Sequence, residues 1–172
     1  MSVKGSETLQ LTVNATSRKA EISELIAFTK YTVKVQAFTV RPGNLSKEQF
    51  GVTDQGLPSR PLSLHASNIT ASSFRLSWQR PLHKRGIITR YTIKIIKNTN
   101  YTGRGLFEVD RILNVSQQFS HSNLTSLISS LQPNIVYEVS VAAHTIKGMG
   151  NVSRISTKTK DTVWLCTKNF IK

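Results

Sequence analysis

Seven asparagines of this 172-residue chain stand in the motif Asn-x-Ser/Thr, the acceptor for N-linked glycosylation. They are Asn14, Asn44, Asn68, Asn100, Asn114, Asn123 and Asn151. The motif takes up seven of the ten asparagines, whereas the Ser and Thr content would give roughly two by chance. The excess favours a secreted or cell-surface protein that carries sugars, with compositional bias as the alternative explanation.

Other residue types that do chemistry are too scattered to form a site. The histidines, His65, His83, His121 and His144, lack the spacing of metal ligands. The few acidic residues offer no carboxylate pair, and neither a Gly-x-Ser-x-Gly elbow nor a phosphate-binding loop is present. Gly148-Met149-Gly150 is predicted to be a tight turn between strands. We therefore expect no catalytic residue, no metal and no cofactor.

Alternating apolar residues indicate the elements that must position these side chains. A period of two is typical of a β-strand with one buried and one solvated face, and it places His144 outward at the surface. The longest strand signal covers residues 87–96. Further strands are predicted at 31–38, 61–66, 73–78, 107–113, 124–131, 137–144 and 152–159. Short strands at this spacing, without a sustained 3.6-residue period, predict an all-β antiparallel sandwich.

One pattern occurs twice, about a hundred residues apart. Leu25 aligns with Leu131 and Tyr31 with Tyr137, and a strand with alternating valines follows each tyrosine. The approach from leucine to tyrosine resembles the tyrosine corner of β-sandwiches, in which the hydroxyl bonds to upstream backbone. A tyrosine that merely happens to lie in a strand would not be expected to recur in the same pattern at a constant offset, so the two copies favour the tyrosine corner.

A wider set of residues resembles a fibronectin type III domain over about residues 58–160. The set is Trp78 before Pro81, Tyr91 in the next strand, Leu131-x-Pro133-x-x-x-Tyr137, and Gly148-x-Gly150-x-x-Ser153. The resemblance implies an immunoglobulin-like antiparallel β-sandwich in which Trp78, Tyr91, Leu131 and Tyr137 are structural. The first copy, with Leu25 and Tyr31, is similar to the last strands of a preceding domain.

We accordingly divide the chain into a partial fibronectin type III domain at 1–56, a complete one at 57–160 and a tail at 161–172. Gly and Pro in residues 55–61 mark the linker. The partial domain cannot close two sheets and leaves strand edges open. We expect it to be less ordered or less stable than the complete domain.

The net charge of +14 calls for an anionic partner or a solvated basic surface. Strand alternation places five basic residues outward: Arg90, Lys94, Arg154, Lys158 and Lys160. In fibronectin type III folds their strands share a sheet, so a basic face that binds heparan-type glycans is one interpretation. Nucleic acid is not expected, because zinc spacing, a basic helix and an aromatic RNA-binding signature are all missing.

The single cysteine, Cys166, excludes a disulfide within the chain. Neither an N-terminal secretory signal nor a run of about eighteen apolar residues is present. For an extracellular domain these features indicate a fragment of a longer parent, which we expect to be a single-pass membrane protein.

The expected function is that of an extracellular, non-catalytic spacer or protein-binding domain from a cell-surface receptor or adhesion protein. Residues 28–39 and 81–91 also resemble domains in receptor-type tyrosine phosphatases, which makes an ectodomain fragment of such a receptor one alternative. That family's Cys-x-x-x-x-x-Arg loop is not present, since Lys172 stands six positions after Cys166. The expected partners are other proteins or anionic glycans at the cell surface, with membrane attachment only through parts of the parent outside this chain.

Overall fold

The computed structural model describes residues 11–13, 16, 19–99, 106–116 and 123–162. Within these ranges the regular structure consists of eleven β-strands in antiparallel pairs. The strands are Lys30–Val33 (β1), Gln36–Phe38 (β2), Pro42–Leu45 (β3), Gln49–Val52 (β4), Leu62–Ser67 (β5), Phe74–Gln79 (β6), Arg90–Thr99 (β7), Leu106–Ser116 (β8), Asn123–Ile128 (β9), Val136–Thr145 (β10) and Gly148–Lys158 (β11).

Strands β1 to β4 form one long hairpin, which we call the N-terminal hairpin. β1 pairs with β4, and β2 pairs with β3 nearer the tip. The single strand predicted after Tyr31 is interrupted between Val33 and Gln36. There Val35 bonds to Ser46 through the serine side chain as well as through the backbone. The Ser46 hydroxyl accepts a hydrogen bond from the Val35 N–H at 2.9 Å, and the Ser46 N–H donates to the Val35 carbonyl at 2.8 Å.

Strands β5 to β11 form a β-sandwich of two sheets. One sheet has the order β5-β6-β9 and the other β11-β10-β7-β8. Alternate residues of both sheets meet in a core, with Trp78 from β6, Ile93 from β7 and Val139 from β10 at 0–1% exposure. The predicted all-β antiparallel sandwich is thereby confirmed.

The turn between β10 and β11 lies earlier than predicted. It consists of Ile146 and Lys147, and β11 begins at Gly148. A side chain at Gly150 would clash with the Pro58 carbonyl, so glycine there allows the chain before β5 to pack on β11. Gly148 therefore follows the turn, and Gly150 permits the close contact with Pro58.

The two copies of the repeated strand differ in burial. Val139 and Val141 are fully buried, whereas their counterparts Val33 and Val35 are 38% and 68% exposed. In the sandwich the valines are covered by the facing sheet, and the described part of the N-terminal hairpin has no such sheet. The same sequence pattern therefore gives a core in one place and an open apolar face in the other.

Candidate functional site

The tyrosine corner predicted from the repeat is present in both copies. The Tyr137 hydroxyl accepts a hydrogen bond from the Gln132 N–H at 2.9 Å, and the Tyr31 hydroxyl accepts one from the Ile26 N–H at 2.8 Å. Tyr137 is fully buried, whereas Tyr31 is half-buried. Each bond fixes the loop that precedes its strand.

A threonine at the end of the last strand completes each corner, and the sequence analysis missed it. Thr159 Oγ1 donates to the Gln132 carbonyl at 2.7 Å and accepts from the Ile135 N–H at 3.1 Å. Thr53 Oγ1 does the same with Ile26 at 2.6 Å and Thr29 at 2.9 Å. The two threonines have the same spacing in the sequence as Tyr31 and Tyr137, a signal that could have identified them.

The backbone of the corners repeats as well. Glu24 and Ser130 both have a φ of 59°, and Phe28 and Asn134 have φ values of 56° and 57°. Left-handed backbone at non-glycine residues is uncommon and is retained where surrounding bonds hold it. The corner is thus a structural device of the fold that uses the predicted positions Leu25, Tyr31, Leu131 and Tyr137, rather than a reactive site.

The other predicted structural residues lie together in the sandwich core. The rings of Trp78 and Tyr91 meet edge to face, with centroids 5.6 Å apart, and Leu131 is 6% exposed. Burial raises the pKa of Tyr91 to about 12, against a smaller opposing effect of the Arg80 guanidinium. The Tyr91 hydroxyl has no hydrogen-bond partner among the described residues.

The segment between the hairpin and the sandwich is held by a set of polar contacts, which we call the joint. The Lys147 ammonium lies 2.5 Å from an Asp54 carboxylate oxygen, and the Ile87 N–H donates to the Gln55 side chain at 2.9 Å. Gly56 donates its N–H to the Arg85 carbonyl at 2.6 Å and accepts from the Thr145 hydroxyl at 2.8 Å. The hydrogen bonds from Lys147 and from the Gln55 N–H lower the pKa of Asp54. This linker is therefore an ordered connection.

A shallow cleft of about 310 Å³ opens beside the joint. Its lining residues are Glu24, Leu25, Ile26, Ala27, Gly56, Leu57 and Arg85. A side chain at Gly56 would come within 2.9 Å of Ala27 Cβ, so the corner of the hairpin approaches the linker closely at this point. The cleft marks where the two parts of the chain meet.

Four of the five predicted basic residues lie on the outer face of the four-stranded sheet, which we call the basic face. Register places Lys94 opposite Ser140 and Ser140 opposite Arg154, so the two charges lie in one row across three strands. Arg90 and Lys158 are on the same face, one at each side of this row. The Arg154 guanidinium lies 3.8 Å from the Glu138 carboxylate, which partly neutralises it.

Lys160, the fifth predicted basic residue, lies beyond the end of β11. Its N–H donates to the Thr70 carbonyl at 2.9 Å, and its carbonyl accepts from the Asn134 N–H at 3.1 Å. The residue therefore belongs to the corner end of the sandwich, and the structure does not bring it together with the row of Lys94 and Arg154.

His144 points outward from β10, but the expectation that it lies at the surface is wrong, since it is only 8% exposed. Desolvation lowers its pKa, and the Arg90 charge acts in the same direction. The Thr92 hydroxyl donates to Asn114 Oδ1 at 2.8 Å and lies 2.9 Å from His144 Nε2. The Thr92 hydroxyl therefore lies between the Asn114 carboxamide and the His144 ring, and it links β8 to β10 across β7.

Five of the seven predicted glycosylation asparagines lie in the described part of the chain, and all five are exposed. They are Asn44 in β3, Asn68 after β5, Asn114 in β8, Asn123 in β9 and Asn151 in β11. Asn14 and Asn100 lie outside the described residues. Exposure satisfies the first requirement for a sugar, since a bulky polar glycan has to remain in solvent.

Within the described ranges, no group of three or more His, Cys, Asp or Glu side chains is placed to hold a metal ion. Nor do those ranges contain a helix that is long and apolar enough to cross a lipid bilayer. Cys166 lies outside the described residues.

Comparisons with known proteins agree with this architecture. The family model described as "Fibronectin type III domain" matches residues 59–159. The Aedes aegypti protein mosPTP-1, named as a receptor-type tyrosine-protein phosphatase, is 27% identical over 85% of this chain and 11% of its own length. The cell adhesion molecule DSCAM of Gallus gallus is 32% identical over 84% of this chain and 7% of its own length. The chain thus spans about a tenth of the length of these relatives.

A solved structure is similar over most of the chain. Domains d3–d4 of the rat CD45 extracellular region match 90% of this chain and 78% of that structure, with a TM-score of 0.60 and 17% sequence identity. At this identity the likeness concerns the fold alone.

Proposed function

The chain belongs to the fibronectin type III family, and from this membership we propose that it is an extracellular, non-catalytic spacer and protein-binding segment of a cell-surface receptor or adhesion protein. Domains of this type are non-catalytic, and the relatives include a receptor-type phosphatase and a cell adhesion molecule. Sandwiches joined in series hold a binding surface at a set distance, and their loops and outer faces contact partners.

The observation that carries the proposal is the ordered joint. A spacer works only if successive units keep a fixed geometry, and interfaces within a chain are by default mobile unless contacts restrain them. Here the linker residues Gln55 and Gly56 bond to the sandwich at Ile87, Arg85 and Thr145. The bonds engage both backbone and side chains, so the linker direction is set at several points.

The division of the chain into domains is also a proposal. We propose that residues 1–56 are part of one fibronectin type III domain, that residues 57–160 are a complete one and that 161–172 are a tail. Support comes from the repeated corners at Tyr31 and Tyr137 and from the family match to residues 59–159. The hairpin corresponds to strands β10 and β11 of the sandwich.

The extracellular location rests on the glycosylation motifs and the class of the relatives. Five of the motifs have exposed asparagines, and the parent is proposed to be anchored by a single membrane span outside this chain. Secretion of the chain from animal cells, followed by mass spectrometry before and after enzymatic removal of N-glycans, tests this. A secreted chain with every motif empty would contradict the proposed glycoprotein character.

The spacer function is tested by a distance across the joint. Spin labels at Val40→Cys, at the hairpin tip, and Asp161→Cys, at the far end of the sandwich, in a Cys166→Ser background, report the separation of the two ends. We expect one narrow distance distribution by double electron–electron resonance. A broad distribution would contradict a fixed spacing.

An alternative identity for the parent is a receptor-type tyrosine phosphatase, of which this chain would be an ectodomain fragment. Its support is the 27% identity to the mosquito protein over 85% of the chain. The sequence of the full transcript tests it, since a phosphatase parent must encode a Cys-x-x-x-x-x-Arg loop in a further domain.

A second candidate function is binding of heparan-type glycans through the basic face. The row of Lys94 and Arg154, with Arg90 and Lys158 beside it, presents four cations on one surface. Heparin chromatography in a rising salt gradient tests it, because exposed ion pairs weaken with salt. Replacement of these four by alanine should shift elution to lower salt. A control with the same loss of charge, Lys47→Ala, Arg60→Ala, Arg75→Ala and Lys84→Ala, should shift it less.

A further inference from the structure

We propose that a glycan on Asn114 covers half of the basic face and so controls its access to anionic polysaccharides. The inference rests on the proposed heparan-binding function and adds a modification that regulates it. Asn114, Thr92, Arg90 and Lys94 share the outer face of two neighbouring strands. Sequence alone does not show this, because Asn114 and Lys94 are brought together only by the pairing of β7 with β8.

The register of β7 and β8 places the glycosylation motif directly against the cations. Asn114 lies opposite Thr92, and Ser116, the hydroxyl residue of the motif, lies opposite Arg90. Directly opposed residues on neighbouring strands are about 5 Å apart, and diagonal neighbours about 7–8 Å. Arg90 and Lys94 are both diagonal neighbours of Asn114, so an attached sugar begins within one side-chain length of each.

The Asn114 side chain is held by a contact with β7 and remains exposed for attachment of a sugar. Its oxygen accepts from the Thr92 hydroxyl at 2.8 Å, and Thr92 is itself held by His144 at 2.9 Å. With the oxygen turned towards β7, the amide nitrogen occupies the other arm of an exposed side chain. His144 is buried, and desolvation lowers its pKa, so the charged form of the imidazole beside Thr92 is disfavoured.

The modification uses ordinary chemistry of the secretory pathway. The Asn114 Nδ2 forms a bond to the anomeric carbon of an oligosaccharide carried on a lipid diphosphate, loses one proton, and the lipid diphosphate leaves. An oligosaccharide of several hexoses is larger than the spacing to Arg90 and Lys94, so it excludes a polysaccharide chain from both. Arg154 and Lys158, two strands further across the sheet, stay accessible.

The expected effect is a partial loss of affinity. Loss of contact at the exposed Arg90 and the half-buried Lys94 weakens binding by about tenfold. Binding through Arg154 and Lys158 persists in the glycosylated form. We therefore expect chains with a glycan on Asn114 to elute from heparin at lower salt than chains without one.

The test compares the full chain secreted from animal cells with two variants. Ser116→Ala removes the motif but keeps Asn114 and its bond to Thr92, and Thr125→Ala removes the Asn123 motif on the other sheet of the sandwich. Mass spectrometry of glycopeptides gives the occupancy of each asparagine. We expect Ser116→Ala to bind heparin about tenfold more tightly than the wild type, and Thr125→Ala to match the wild type.

Four outcomes would overturn the inference, and they are distinguishable. Asn114 without a glycan, or an occupied Asn114 with equal binding by wild type and Ser116→Ala, would reject the control of access alone. Failure of the glycan-free chain to bind heparin would reject the basic-face function and the control with it. Equal gains in Ser116→Ala and Thr125→Ala would show general glycan bulk rather than local coverage.

Discussion

Asp54 at the end of the N-terminal hairpin and Lys147 in the turn between β10 and β11 form an ion pair with a separation of 2.5 Å, so two residues 93 positions apart close the joint. Both side chains are exposed to solvent, which screens the attraction between their charges. The pair therefore helps to set a direction and adds little to stability.

The joint should loosen when its contacts are removed together. In the doubly spin-labelled chain, Asp54→Asn with Gln55→Ala removes the charge of the ion pair and the acceptor of the Ile87 N–H. We expect the distance distribution to broaden, while the urea midpoint of the sandwich stays unchanged. Lys34→Gln, which breaks the Lys34–Glu48 pair within the hairpin, is the matched control and should leave the distribution narrow.

Acid should also broaden the distance distribution, because protonation removes the Asp54 charge from its ion pair with Lys147. The folded-state pKa of Asp54 lies below its usual value of 3.8, so its contribution is present above pH 3.8 and is lost as pH falls through the lowered value. The distribution should be constant from pH 5 to 8 and broaden below pH 3.8. An unchanged width at a pH where NMR shows the Asp54 carboxyl to be protonated would contradict a role of its charge in holding the joint.

The two tyrosine corners should differ in their effect on stability. Tyr137→Phe leaves the Gln132 N–H without its acceptor beside a buried ring, and we expect the free energy of unfolding to fall by about 1 kcal/mol. Tyr31→Phe removes an exposed bond and should change it by less than about 0.5 kcal/mol. Amide hydrogen exchange in urea measures both, in β10 for Tyr137→Phe and in β1 for Tyr31→Phe, and equal losses would contradict this ranking.

Tyr91 should make the sandwich sensitive to alkali. Its pKa is about 12 in the folded state against 10.0 for the unperturbed group, so folding stability is full below pH 10 and falls as pH rises towards 12. Tyr91→Phe should remove this part of the fall, measured as the urea midpoint between pH 9 and 11.5. At neutral pH it should cost little, because its hydroxyl has no hydrogen-bond partner among the described residues. Tyr31→Phe retains Tyr91 and serves as the control. If the urea midpoint of Tyr91→Phe fell with pH as steeply as that of Tyr31→Phe, Tyr91 would not be the source of the alkali sensitivity.

The N-terminal hairpin should exchange its amide protons faster than the sandwich. Val33 and Val35 are exposed where Val139 and Val141 are buried, so β1 gains less from burial than β10. Hydrogen exchange should show lower protection in β1 and β4 than in β10 and β11. Consistently, Val139→Ala should cost about 2 kcal/mol and Val35→Ala less than about 0.5 kcal/mol. Equal protection in the two parts would contradict the partial-domain interpretation.

The fold and its corners could be predicted because their signals are local. Alternation along β10 and the leucine-to-tyrosine spacing before it lie within short stretches of sequence, and both reappear in the structure as strand and corner. The position of β11 was less well predicted, since Gly148 and Gly150 are typical of a turn as well as of close backbone contact. Thr53 and Thr159 share the spacing of Tyr31 and Tyr137, but threonine is common in strands, so the spacing by itself did not single them out.

The all-β class, the resemblance to the fibronectin type III family and the Asn-x-Ser/Thr motifs could be recognised from the sequence, because strand period, corner residues and motifs each extend over a few positions. The burial of His144, the bonds between the linker and the sandwich, and the position of Asn114 beside Arg90 and Lys94 became apparent only from the three-dimensional fold. Each of these depends on the register between segments that are far apart in the chain. Register is set by packing of the whole sheet, and no single stretch of sequence contains it.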